Sequence, residues 1–181
     1  MPMPKSKVTL VIGGVRSGKS SYAEALVKQV EGRRVYIATA EPFDAEMQSR
    51  IARHKEARKD YFAYTIEEPR DVALALDSLD DSVTVALVDC MTVWMGNLLH
   101  YQGLRDRYEE VDSLLKVLQK NDKQVVIVTN EVGQGIVPAT ELSRHFRDHA
   151  GWLNQALAAL ADTVIWMVAG IPVCIKGELP S

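Results

Sequence analysis

Cysteine is scarce in this chain: two in 181 residues, Cys90 and Cys174. Each sits in an apolar run and neither belongs to a C-x-x-C pair. That argues against a disulfide framework or a cysteine zinc site and for a reducing, cytoplasmic setting. Excess basic charge is also missing. The net charge is -3, so there is no electrostatic case for nucleic acid as a main partner. Long apolar runs are absent too. The longest, Val164 to Ile175, is too short to span a bilayer and contains Gly170-Ile171-Pro172, so no membrane insertion is expected. Met1 to Lys7 has no apolar segment separate from the first strand, and no signal peptide is read. Repeats and low-complexity segments are not found. What remains is 47% hydrophobic and 25% charged residues, the balance of an ordinary globular protein. The length suits one domain over residues 1–181 with a real core.

The chain is organised around Gly13-Gly14-Val15-Arg16-Ser17-Gly18-Lys19-Ser20. It fits the phosphate-binding pattern G-x-x-x-x-G-K-[ST] at every fixed position. Val8 to Ile12 before it reads as a buried strand, and Ser20 to Val30 after it carries helical spacing. Glycines let successive N–H groups turn toward phosphate oxygens, and the helix N-terminus adds partial positive charge. Lys19 would reach the β- and γ-phosphates, and Ser20 would ligate Mg²⁺.

Strands and helices then alternate. Strands are expected at Val35–Thr39, Val83–Val88, Gln124–Thr129 and Thr163–Val168, with a short last one at Pro172–Lys176. Helices are expected from about Ala45 to Arg58, from Glu67 through Leu79, at Thr92–Tyr101, at Arg107–Lys120, and at Thr140–Leu160 with an interruption near Gly151. Apolar strands alternating with helices imply an α/β fold with a mostly parallel sheet covered on both faces. Ligands of such sheets bind beyond the carboxyl ends of the strands, where Thr39, Asp89 and Asn130-Glu131 fall.

Asp89 follows an apolar strand downstream of the phosphate loop, the position of a carboxylate that holds Mg²⁺ opposite Ser20. It also stands close enough to the next helix to cap it. His54 shares a stripe with Met47, Ile51 and Arg58, among Arg53, Lys55 and Lys59. A solvated basic helix end explains this pattern; so does an imidazole kept neutral and nucleophilic by cations that also neutralise a triphosphate. Spacing does not choose between the two. His145 and His149, four apart on one helix, have metal-ligand spacing but lack H-E-x-x-H and a third ligand, so a charged helix face fits better. His100 ends an apolar helix, where packing suffices, and Cys90 reads as a packing residue.

Several segments together carry a resemblance over essentially the whole chain. They are Gly13 to Glu24, Tyr36-Ile37-Ala38-Thr39-Ala40, Arg50 to Lys55, Thr65-Ile66-Glu67-Glu68-Pro69 and Val88-Asp89-Cys90-Met91-Thr92. Gly96-Asn97-Leu98-Leu99, Val128 to Pro138, Arg144 to Asp148 and Gly151 to Gln155 complete them. In these the sequence resembles the bifunctional adenosylcobinamide kinase / adenosylcobinamide-phosphate guanylyltransferase family of cobalamin biosynthesis. The phosphate loop alone is unspecific; with the His54-Lys55 helix and the Asn130 to Pro138 loop it is highly specific. Arg53 stands where some relatives have a second histidine, and Asp89 where some carry Glu. The spacing from His54 to Glu67 is about one residue longer than in relatives, which leaves Glu67 and Glu68 both open.

The resemblance implies a P-loop domain similar to the RecA core, assembled as a homotrimer. It implies two reactions: phosphorylation of adenosylcobinamide by ATP or GTP, then transfer of GMP from GTP to adenosylcobinamide phosphate. It further implies that the guanylyl group rests on His54. Gly13 to Ser20, Ala38, Thr39, Ala40, Lys55, Glu56, Ala57, Arg58, Glu67 and Asp89 are the implied nucleotide contacts, with Lys19 catalytic beside His54. Two other classes remain compatible with the residues alone: a small-molecule kinase with only the first activity, and a non-enzymatic nucleotide-binding partner.

Overall fold

The computed structural model describes residues 7–42, 48–49, 52, 55–56, 58 and 60–179. Strand β1 (Val8–Gly13) leads through the glycine loop into helix α1 (Lys19–Gln29) and strand β2 (Arg33–Ala38). Strand β3 (Tyr64–Glu67), helix α2 (Val72–Asp77) and strand β4 (Val83–Asp89) follow. Then come helices α3 (Met91–Gln102) and α4 (Glu109–Lys120), strand β5 (Gln124–Asn130), helix α5 (Glu141–Leu160), and strands β6 (Thr163–Val168) and β7 (Ile171–Lys176). The strands form one sheet in the order β3-β2-β4-β5-β1-β6-β7. Every pairing is parallel except β6 with β7.

The two faces of the sheet are read directly from alternation along the strands. Leu10, Ile37, Val88 and Ile127 are fully buried under α2, α3, α4 and α5, through Leu76, Trp94, Leu114 and Leu157 among others. Their chain neighbours Val11, Tyr36, Leu87 and Val128 are buried on the other face, under Ala23, Leu26 and Val27 of α1 and under Phe62. Strands apolar on both faces require cover on both, which is the expected arrangement. Trp94 shows how a polar group enters such a core: it is fully buried, and its Nε1 donates to the Arg70 carbonyl at 2.6 Å.

Two expectations need correction. The stretch around Glu67 does not open a helix: Tyr64–Glu67 is an edge strand beside β2, and the helix starts at Val72. Its cap is Asp71, whose Oδ1 accepts from Leu74 N at 2.9 Å. A strand of four residues, none of them buried, gives too short a pattern to detect. Nor is α5 interrupted at Gly151, since it runs unbroken for 20 residues. A glycine inside a helix costs about 1 kcal/mol. Buried Ala150, Leu153 and Leu157 and the Thr140 cap, which accepts from Ser143 N at 3.1 Å, outweigh that cost. Of the expected helix from Ala45 to Arg58, residues 48, 49, 52, 55, 56 and 58 are helical. His54 and Ala57 lie outside the described residues.

Parallel register brings the strand ends together. Gly13 is level with Asn130, Ala38 with both Glu67 and Asp89, and Asp89 with Val128. The glycine loop and the polar residues at strand ends therefore share one edge of the sheet.

Candidate active site

The loop from Gly13 to Ser20 is built by close approach. A side chain on Gly13 would place its Cβ 2.5 Å from Ser17 Oγ and 2.8 Å from the Met167 carbonyl oxygen. Only glycine fits there. Ser17 N donates to Gly14 O at 3.3 Å, and Gly170 N donates to Ser17 O at 3.0 Å, which ties the loop to the β6–β7 turn. Gly18, at φ +87°, then caps α1 without a side chain, leaving the N–H groups of the first turn directed outward. Lys19 Nζ donates back to Gly14 O at 3.1 Å, so its ammonium lies against the loop. Ser17 Oγ is buried and has no hydrogen-bond partner among the described residues. Outward N–H groups, an ammonium and an orphan hydroxyl together make an anion cradle. Beside it opens a cleft of about 320 Å³, walled by Gly14 to Ser17, by Glu131 and Gln134, and by Trp166 to Ala169.

Asp89 ends β4, and Tyr36 of β2 and Thr39 just beyond that strand hold it. The Tyr36 hydroxyl donates to Asp89 Oδ2 at 2.9 Å. Burial, then the charge of Asp89, push the Tyr36 phenol well above its ordinary pKa, so it stays a donor. Thr39 N donates to Asp89 O at 3.2 Å. Asp89 does not cap the next helix. Cys90 does, its Sγ accepting from Val93 N at 3.5 Å, which leaves the Asp89 carboxylate for other work. The Cys90 thiol, pushed up to about 11 by burial and by Asp89, is neutral at physiological pH and suits packing. Mg²⁺ takes hard oxygen ligands, one or two from carboxylates and the rest from water and phosphates. The Asp89 carboxylate, held through one oxygen by Tyr36, and the Ser20 hydroxyl at the start of α1 fit that donor set.

The remaining expected contacts fall into two groups. Ala38 and Ala40 are half-buried at the end of β2, whereas Thr39 is fully buried. Its hydroxyl donates to Cys90 O and accepts from Cys90 N, and its carbonyl accepts from Asn97 Nδ2 at 2.7 Å. Thr39 therefore holds the strand ends together. Lys55 forms an ion pair with Glu67, joining the basic helix to the end of β3, while Glu56 is exposed. Glu68 is spent locally: its Oε1 accepts from Arg70 N at 2.9 Å and Asp71 N at 2.8 Å. Of the two glutamates, Glu67 is the one tied to the basic helix. Arg58 is 4% exposed and lies over the Tyr36 ring, 3.5 Å from its centroid.

Sequence reasoning missed Tyr36, Asn97 and the polar cluster behind Asn130. In that cluster Thr92 Oγ1 accepts from Asn130 N at 2.6 Å, and Asn154 bonds both Thr129 and the Asn130 carbonyl. A tyrosine in the middle of an apolar strand carries no local sign of its partner. His145 and His149 stack with centroids 4.2 Å apart, against Tyr108 and Trp152. No group of three His, Cys, Asp or Glu able to hold a metal is found among the described residues. No helix among them is long and apolar enough to cross a membrane.

A glycine loop between a strand and a helix, on a mostly parallel sheet with a carboxylate two strands away, defines a P-loop NTPase fold of the RecA type. Solved structures agree. A RadB recombinase superposes with a TM-score of 0.54 at 18% identity, over 96% of this chain and 82% of that one. An ATPase from the type III secretion system of pathogenic bacteria gives 0.53 at 11% identity, over 88% of this chain and 50% of that one.

The family is narrower than the fold. Residues 9–175 match the family described as cobinamide kinase / cobinamide phosphate guanyltransferase, and the chain belongs to it. The bifunctional adenosylcobalamin biosynthesis protein CobP of Pseudomonas aeruginosa is 43% identical, covering 93% of this chain and 97% of that protein. The CobU proteins of Escherichia coli K12 and Salmonella typhimurium LT2, with the same bifunctional description, are 41% and 42% identical. Each covers 92% of this chain and 98% of its own length.

Proposed function

We propose that this protein phosphorylates adenosylcobinamide with ATP or GTP and then transfers GMP from GTP to the product, giving adenosylcobinamide-GDP and pyrophosphate. The observation that carries the reading is the anion cradle at Gly13 to Ser20 in a chain of this family. The bifunctional relatives favour it over a kinase alone.

In the kinase step the aminopropanol hydroxyl attacks the γ-phosphorus in line and gives up its proton, the bond from that phosphorus to the bridging oxygen breaks, and the nucleoside diphosphate leaves while Lys19 steadies the charge on the β- and γ-phosphates. In the transfer step an imidazole nitrogen of His54 attacks the α-phosphorus of GTP. The bond to pyrophosphate breaks, and a phosphoramidate forms. An oxygen of the corrinoid phosphate then attacks the same phosphorus and the P–N bond breaks. Two in-line displacements give net retention at phosphorus. Ser20 and Asp89 would hold Mg²⁺, which supplies charge neutralisation at the phosphates. Glu67 is an acceptor suited to a guanine amino group, and Lys55, paired with it, orients it. Ala38, Ala40, Glu56, Ala57 and Arg58 complete the nucleotide surroundings, with Thr39 acting through the strand ends. One P-loop domain, working as a cytoplasmic homotrimer with the bulky corrinoid at a subunit boundary, completes the reading.

The test is to incubate the protein with Mg²⁺ and GTP labelled at the α-phosphate, then denature it. Acid-labile, base-stable label on the chain, lost in His54→Ala, is expected. No label from a protein that still binds GTP and phosphorylates the corrinoid would leave a kinase only.

A further inference from the structure

Arg58 is an unusual residue to bury. It is 4% exposed, its Nε has no hydrogen-bond partner among the described residues, and its guanidinium lies flat against the Tyr36 ring. A buried charge needs a compensating group. Here the aromatic face provides one, and the Asp89 carboxylate stands at the far end of the same ring. Phe62 meets the ring edge-on at 5.3 Å, so the ring is pinned from a second side. Tyr36 and Asp89 face the same side of the sheet, two residues apart along neighbouring strands. The hydroxyl of Tyr36 thus reaches one carboxylate oxygen, Oδ2, and sets the rotamer of Asp89.

We propose that Tyr36 is the positioning residue of the Asp89 carboxylate, and that Arg58, held over its ring, braces Tyr36 in that role. The inference rests on the reading of Asp89 as a Mg²⁺-holding residue.

The experiment measures binding of a non-hydrolysable GTP analogue by calorimetry, once with Mg²⁺ and once with EDTA. The quantity of interest is the ratio of the two affinities. Wild type is expected to bind more tightly with Mg²⁺. Tyr36→Phe keeps the ring and the stack but loses the hydroxyl. It should reduce the Mg²⁺-dependent ratio about tenfold and leave binding in EDTA unchanged. Arg58→Met should lower the same ratio, and the double variant should fall little further than Tyr36→Phe alone. Phe62→Leu, which loosens packing without touching the hydroxyl, should lower the melting temperature and leave the ratio intact. An unchanged ratio in Tyr36→Phe, or in Arg58→Met, would overturn the inference while the metal reading stood. A reduced ratio in Phe62→Leu would assign the effect to packing and overturn it as well. A wild type indifferent to Mg²⁺ would overturn both.

Discussion

Thr39 and Cys90 exchange two hydrogen bonds across neighbouring strand ends: Thr39 Oγ1 donates to Cys90 O at 2.8 Å and accepts from Cys90 N at 2.9 Å. One hydroxyl thereby satisfies both backbone groups of the residue that follows Asp89. Thr39→Val keeps the shape and removes both bonds, leaving Cys90 N unpaired while Cys90 O keeps its bond from Trp94 N at 3.1 Å. The expected loss of stability is about 1–3 kcal/mol by denaturant titration, with Thr39→Ser close to wild type. Equal stability of Thr39→Val and wild type would mean the clamp carries no energy.

Two adjacent glycines of the phosphate loop should differ sharply. A Cβ on Gly13 meets Ser17 Oγ and the Met167 carbonyl, whereas a Cβ on Gly14 meets nothing within 4 Å. Gly13→Ala is therefore expected to weaken triphosphate binding at least tenfold, because backbone and not a flexible tip must move. Gly14→Ala should bind within about twofold of wild type. Calorimetric titration with GTP separates the two. Similar losses in both would show that conformational freedom, and not space, is what the loop needs.

Glu67 and Glu68 are chemically identical and differently employed. Glu68 Oε1 accepts from Arg70 N and Asp71 N, so Glu68→Ala should cost about 1 kcal/mol of stability and leave base selectivity alone. Glu67, paired with Lys55 at the end of β3, should do the opposite. Glu67→Ala is expected to narrow the preference for GTP over ATP in the transfer step about tenfold or more, with little change in melting temperature. Preserved selectivity in Glu67→Ala would remove this residue from guanine recognition.

The His145–His149 stack should make the protein sensitive to mild acid. Burial, then the neighbouring His145, hold His149 below its ordinary pKa; Asp148 and Asp106 oppose the shift. Tyr108 and Trp152 face the ring from the other sides. A folded pKa below the unfolded one means that the neutral form is favoured by folding. Its contribution is fully present above the unfolded value of about 6.5 and is lost as the pH falls from there toward the folded pKa. The melting temperature should drop between pH 7 and pH 5, and His149→Phe should flatten that slope. An unchanged slope in the variant would place the acid sensitivity elsewhere.

By itself, the sequence determined the chemistry that depends on contiguous residues. Gly13 to Ser20 needs only its own backbone to turn and point N–H groups outward, so its role was legible from eight letters. The parallel sheet was legible because strands apolar throughout must be covered twice, and so was the place of Asp89 at the carboxyl end of one of them. Tertiary structure decided what depends on neighbours distant in the chain. Tyr36 looks like any aromatic of a buried strand until β4 lies beside β2 and brings Asp89 to its hydroxyl. That Thr39 ties the end of β2 to Cys90 and Asn97 is likewise decided by neighbours distant in the chain. Tyr64, Thr65 and Ile66 favour extension, but so short a run is too little to read, and the edge of β2 supplies the hydrogen bonds that fix it as a strand. The division follows from range. A short motif carries its geometry in local dihedrals and residue types, while a partner 53 positions away is chosen by sheet order, which no local pattern encodes.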